Sequence, residues 1–380
     1  MIYLDHNATT PLLPEVREAM LPWLGEHYGN PSSVHRAGRL ARQALESARV
    51  QVAELVGAQA EEVIFTSGGT EANALALEGY LEAAGGGLLV ASTEHAAVRD
   101  AADRLARRGT AVHEIAVDAA GLIQADELRV ALTQYRPSLV SIMWANNETG
   151  VVQDLATLGE IIREAGVRLH SDGVQAAGKL PVDFAAVDLL TLSAHKINGP
   201  KGVGALVRRR EIALAARQPG GGQEQGLRGG TENLAGIVGF GVAAAAARRE
   251  LAVRDAQWRA LRDELEQGLA ALPGVQIHGR DAARVGNTCQ FTVDGFESEA
   301  LLMALDRAGF AVSSGSACHA GSGEPTHVLR AMGVPRERAF GAVRVSLGHG
   351  NDAADIRRFL AELGRIVSAQ ADRFAAGLFA

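Results

Sequence analysis

Between Leu55 and Val207, short apolar runs alternate with segments whose apolar residues recur at helical spacing. Seven runs carry a strand signature: Val63–Thr66, Leu88–Ser92, Val112–Val117, Leu139–Trp144, Arg168–Asp172, Asp188–Ser193 and Gly204–Val207. Strands separated by helical stretches need crossover connections. The alternation therefore predicts an α/β fold, with a mostly parallel seven-stranded sheet and helices on both faces. Beyond it, an Ala/Arg/Glu/Leu-rich helical pattern runs from about Ile237 to Leu272. After Pro273-Gly274 the order becomes strand (Asn287–Val293), helix (Ser298–Ala308), strand, Ser/Gly-rich loop and strand (Ala342–Ser346). A last helix starts near Ala353, so a second, smaller α/β unit is expected at the C-terminal end.

Ligands of open α/β sheets bind beyond the carboxyl ends of the strands, and the chemistry-bearing residues of this chain fall there. Lys196 follows the run that ends at Ser193 and precedes the turn Asn198-Gly199-Pro200-Lys201-Gly202. A lysine held in a tight pocket loses solvation, which favours its neutral amine and suits Schiff-base chemistry. Thr66-Ser67-Gly68-Gly69-Thr70-Glu71 joins a strand to a helical pattern. It reads either as an anion site at a helix N-terminus or as an ordinary capped turn. It lacks the Gly-Lys-Ser/Thr of a Walker loop and the glycine spacing of a dinucleotide fingerprint. Asp172 ends a strand and is suited either to hold a pyridine nitrogen protonated or to cap a helix. His95, in Thr93-Glu94-His95, is suited to stack on an aromatic ring and shuttle protons, or to serve structure alone. Of two cysteines, Cys289 lies on an alternating strand pattern and reads as packing. Cys318 sits in a Ser/Gly-rich loop, Ser313-Ser314-Gly315-Ser316-Ala317-Cys318, where a thiol points to chemistry.

These stretches together resemble the cysteine desulfurases of the class V aminotransferase group, almost end to end. The resemblance rests on Tyr3 to Pro11, Gly29 to His35, the Thr-Ser-Gly-Gly-Thr-Glu turn and Thr93 to His95. It continues through Asn146 to Gly150, Ser193 to Gly204, Gly220 to Glu224, Arg228 to Asn233, Ser313 to Cys318 and Val343 to Gly348. It implies the fold-type I architecture of pyridoxal 5'-phosphate (PLP) transferases. Residues 12–255 would form the large cofactor-binding domain. Residues 1–11 and 256–380 would form the small one, which carries the cysteine loop. On matching positions, Lys196 would bind the cofactor covalently, Asp172 would pair with its ring nitrogen, Gln175 with its ring hydroxyl, and His95 would stack over the ring. Gly69, Thr70, Ser193 and His195 would hold the phosphate. Thr231 would reach the phosphate of the neighbouring subunit, which makes the site a property of a homodimer. Asn147 and Arg344 would grip the carboxylate of L-cysteine, and Cys318 would accept its sulfur as a persulfide. The sulfur would then pass to an acceptor protein, an iron–sulfur scaffold or a thiolation enzyme. Gln225, His319, His349 and Asn351 stand where the family more often carries other residues. A PLP lyase or transaminase such as a selenocysteine lyase is a second enzyme reading, and a scaffold without turnover a third. The last would predict loss of Lys196, Asp172 or Cys318, all of which are present.

Composition narrows the class. The chain has 380 residues, 47% hydrophobic, enough to bury a large core. A net charge of −7 with mixed signs argues against a nucleic-acid surface, and Arg208-Arg209-Arg210 reads as a solvated strand end. Two distant cysteines exclude a disulfide framework or a four-thiolate zinc site, and no His-x-x-x-His pair indicates a metal. No signal segment or membrane-length apolar run is expected, so the predicted address is the cytoplasm, where a free thiol stays reduced.

Overall fold

A computed structural model describes residues 1–315 and 325–375 of the chain. All seven expected strands form, within a few residues of the sequence bounds: β2 (Val63–Thr66), β3 (Leu88–Ala91), β4 (Val112–Ile115), β5 (Leu139–Ser141), β6 (Arg168–Asp172), β7 (Leu189–Ser193) and β8 (Gly204–Arg208). They make one sheet of order β2-β8-β7-β6-β5-β3-β4. The central pairs are parallel, while β8 runs antiparallel to both β7 and β2. Period-two alternation separates the sheet's faces. Phe65, Leu89, Val140 and Leu190 pack with Phe240 and Ile161 on one side. Ile64, Leu88, Val90, Leu139 and Leu206 pack with Leu75 and Leu105 on the other.

The long helix spans Leu234–Ala270, three residues earlier at its start than the pattern indicated. It serves two cores in succession. Its early residues Ile237, Phe240, Ala243 and Ala247 join the large sheet's core. Its later residues Trp258, Leu261, Leu265 and Leu269 join another core with Phe291, Val343 and Phe359. That second core covers the antiparallel sheet of β9 (Val275–His278), β10 (Thr288–Val293) and β12 (Ala342–Ser346). At the other end of the chain, β1 (Ile2–Tyr3) pairs in parallel with β11 (Phe310–Ala311), and Leu4 enters the same core. Among the described residues, no helix is long and apolar enough to cross a membrane.

The carboxyl ends of β2, β3, β5, β6 and β7 share one edge of the large sheet. The N-terminal segment crosses that edge. Thr10 donates to His195 O from its amide (2.9 Å) and its hydroxyl (2.8 Å). Asn198 Nδ2 donates to Pro11 O (2.9 Å).

Candidate active site

One cleft at this edge gathers Gly69, Thr70, His95, Asn147, Asp172, Gln175, Ser193, His195, Lys196 and Arg344, together with Gly315. Asp172 and Ser193 end β6 and β7, Arg344 lies on β12, and Gly69, Thr70, His95, Gln175, His195 and Lys196 come from the segments just after strand ends. Two expected residues are not in it. Thr231 is exposed and outside the cleft of its own chain. Cys318 lies outside the described residues, and Gly315, three positions before it, lines the cleft.

The Lys196 amine donates to two main-chain carbonyls, Asn7 O (2.5 Å) and Ala8 O (2.8 Å). Asp172 caps a turn, one of its two sequence readings, and also lines the cleft. Its Oδ1 accepts from Val174 N–H (3.0 Å), as a capping residue does, and its Oδ2 accepts from Asn73 Nδ2 (2.8 Å) while the carboxylate faces the cleft. The fully buried Glu94 lies near it. Burial first, and then the charge of Asp172, hold Glu94 protonated far above the ordinary carboxyl range. Of these two neighbouring carboxyls, Glu94 thus keeps its proton.

His95 is the N-cap of the helix Ala96–Arg107, and its Nδ1 accepts from Ala97 N–H (3.1 Å). The neutral ring therefore carries its proton on Nε2. Burial is the largest cause that lowers its pKa, so the ring is uncharged at neutral pH and its face suits stacking. His195 is pushed down to about 4 by burial and then by Lys196 and Lys201, and its Nδ1 meets Thr9 Oγ1 at 3.1 Å.

Arg344 is 2% exposed. Its Nη1 donates to Asn147 O (3.0 Å) and Gly315 O (2.9 Å), and its Nη2 donates to Asp5 Oδ1 (2.6 Å). Among the described residues its buried Nε has no acceptor, a donor left for a planar anion. Beside it, Glu148 is buried at 1% and accepts from Thr326 Oγ1 (2.5 Å). Burial pushes its carboxyl up to about 7, against opposing effects of Thr326 and Arg344.

The residues fit a phosphorylated pyridine aldehyde. The Ser193 hydroxyl is buried without a partner among the described residues and lines the cleft. A Cβ on Gly69 would stand 3.1 Å from Val174 Cγ2, so glycine keeps a space that a phosphate can use at the head of a helical run. A buried carboxylate and a lysine in the same cleft match a ring nitrogen and an aldehyde. Cys289, by contrast, is 1% exposed on β10, and burial pushes its thiol far up, so it is inert packing.

Sequence reasoning gave no role to Asn7, Lys179 or Glu148. Each lies in a quoted or adjoining polar motif. Their burial is set by contacts more than a hundred residues away, to which local patterning is blind.

Residues 2–359 match the family described as Aminotransferase class-V. A protein named cysteine desulfurase from Cereibacter sphaeroides is 48% identical over 96% of this chain and 95% of its own length. The structure of a NifS-like protein from Rickettsia africae ESF-5 superposes with a TM-score of 0.89 at 35% identity, over 97% of this chain and 99% of that one. A structure described as SspA in complex with cysteine gives a TM-score of 0.81 at 32% identity, over 91% of this chain and 99% of the other.

Proposed function

The chain belongs to the aminotransferase class-V family and is a cysteine desulfurase, and from that premise we propose that the cleft takes sulfur from L-cysteine, releases L-alanine and leaves a persulfide on Cys318. The family depends on pyridoxal phosphate. When bound, that group supplies an aldehyde that condenses with amines and a protonated ring that delocalises the electrons left when a bond at the substrate α-carbon breaks. Lys196 would be its covalent anchor. Asp172 would keep the ring nitrogen protonated, Gln175 would meet the ring hydroxyl, and His95 would stack on the ring. Gly69, Thr70, Ser193 and His195 would hold its phosphate.

The remaining work belongs to the chain. Arg344, with Asn147 beside it, binds the cysteine carboxylate through its open Nε edge. The Lys196 amine takes the α-proton, and the carbonyls of Asn7 and Ala8 stabilise the ammonium that results. The Cys318 thiolate attacks the substrate sulfur. A sulfur–sulfur bond forms as the carbon–sulfur bond breaks, and the carbon, reprotonated, leaves as alanine. The persulfide then passes its outer sulfur to an acceptor protein, an iron–sulfur scaffold or a thiolation enzyme, in the reducing cytoplasm.

We further propose that two copies share their sites, with Thr231 reaching the partner's phosphate. Its exposure outside its own cleft supports this, as do the exposed apolar side chains Leu21, Leu24, Tyr28 and Val34. The observation that carries the reading is the convergence of Lys196, Asp172, His95 and Arg344 in one cleft. It is tested on purified protein supplied with cysteine and a thiol reductant, by quantifying alanine and sulfide together. Wild type releases the two in equal amounts. Cys318→Ala retains the visible band of bound cofactor and releases neither. Alanine release at the wild-type rate from that variant would sink the assignment of Cys318.

A further inference from the structure

Asn7 is 2% exposed, and the chemistry above uses only its main-chain carbonyl, yet its other polar atoms join every side of the site. Its amide N–H donates to Ser346 Oγ (2.9 Å) on β12. Its Nδ2 donates to Thr288 Oγ1 (2.9 Å) on β10 and to Asn147 O (3.0 Å). Its Oδ1 accepts from Asn287 Nδ2 (3.1 Å) and from Lys179 Nζ (2.7 Å). Its main-chain carbonyl accepts from Gln175 Nε2 (2.9 Å) and from Lys196 Nζ (2.5 Å). Only an amide side chain offers two donors and two lone pairs at this size. Aspartate has no donor, and leucine has neither.

Lys179 completes the arrangement. It is 3% exposed, and its Nζ meets Gln175 Oε1 as well as Asn7 Oδ1. Among the described residues no carboxylate pairs with it. Burial, followed by the charges of Lys196 and Arg344, holds its pKa well below the ordinary lysine range. A neutral amine has two N–H groups, and two acceptors are present for them. This also fixes the Gln175 amide. Its oxygen faces Lys179 and its nitrogen faces Asn7 O, and the reversed amide would set oxygen against carbonyl.

We propose that Asn7 is a positioning residue: clamped between Lys179 and Thr288, it fixes the Asn7–Ala8 carbonyl pair where the Lys196 amine takes up and gives back its proton. Hydrogen bonds from a charged donor favour the ammonium form, so a fixed carbonyl pair gives the released amine a defined, protonatable resting place. The proposal rests on Lys196 being the reactive amine of the reaction above.

The test uses cofactor-free protein treated briefly with acetic anhydride, with acetylation of Lys196 followed by peptide mass mapping. Loss of the clamp frees the amine. Asn7→Ala acetylates Lys196 faster by about tenfold or more, the size of one lost hydrogen bond to a charged donor, and Lys179→Met does so in the same direction. Leu4→Val is the structural control, since Leu4 is fully buried in the neighbouring core and bonds no site residue through its side chain. It lowers the thermal midpoint and leaves Lys196 acetylation at the wild-type rate. Should Asn7→Ala not fold, Lys179→Met alone decides. An unchanged Lys196 rate in the variants, or an equal acceleration in Leu4→Val, overturns the proposal. Faster acetylation in Asn7→Ala, with no alanine or sulfide from the wild-type holoenzyme, would leave this inference standing and sink the reaction instead.

Discussion

Replacing Glu148 by glutamine isolates the most perturbed acid of the cleft that still titrates near neutrality. The Glu148 carboxyl is 1% exposed, and a Cβ on Gly315 would stand 2.9 Å from its Oε2, so no room exists for water on that side. Burial raises its pKa from 4.5 to about 7. Below pH 4.5 the folded and unfolded chains both hold the proton. As pH rises towards 7, the unfolded chain gives it up first, and stability falls. Above 7 the whole cost is present, about 3 kcal/mol for a rise of this size. Glutamine has the same shape, still accepts from Thr326 and never ionises. The variant therefore gains about 3 kcal/mol on the wild type between acid and alkaline pH. At ~2.1 cal/mol/K per residue over 380 residues, that is roughly 4 °C in Tm. The assay is thermal unfolding of both proteins at pH 5 and pH 8.5 in matched ionic strength. A Tm difference that is the same at both pH values would refute the reasoning. A second readout follows from the neighbour. Ionised Glu148 offers Arg344 an internal anion in competition with the substrate carboxylate. The wild-type KM for cysteine therefore rises above pH 7, and that of Glu148→Gln does not.

Two further perturbations bear on the site's supports. Arg49 forks onto Glu224 with bonds of 2.8 and 2.7 Å, both side chains are buried, and Phe65 N–H donates to the same carboxylate (2.7 Å). Arg49→Leu strands that carboxylate and costs about 3–5 kcal/mol by denaturant unfolding, whereas the double variant with Glu224→Leu recovers most of the loss. Recovery is incomplete because Glu224 and Gln225 both hold left-handed backbone, φ 46° and 59°, in the turn that leads to Thr231. Arg344→Lys removes a fork that holds Asn147 O, Gly315 O and Asp5 at once. Steady-state kinetics then give a KM for cysteine higher by roughly tenfold or more, with the thermal midpoint changed little.

Much of the sheet and the site was legible because both rest on local signals. Val63–Thr66 and Arg168–Asp172 were bounded by turn residues, and their strand limits match. Asp172 ends a strand, and Gly69, His95 and Lys196 come within a few residues after one, so a mostly parallel sheet had to bring them to one edge. The antiparallel course of β8 was not legible, since its apolar run reads the same in either direction. The roles of Asn7, Lys179 and Glu148 were hidden for a different reason. A lysine four residues after Gln175 looks like a solvated charge until the N-terminal segment closes over it. His95 and Asp172 each cap a turn, as one sequence reading of each had it, and each also faces the cleft that the other reading requires.

The central claim is that sulfur leaves cysteine and arrives on Cys318 through the agency of Lys196. The most direct measurement is mass analysis of the Cys318 peptide after holoenzyme is mixed with cysteine and no reductant. In wild type this peptide gains one sulfur atom, which a reductant removes, and in Lys196→Ala it gains none. Alanine accumulating while the Cys318 peptide keeps its original mass would contradict the account.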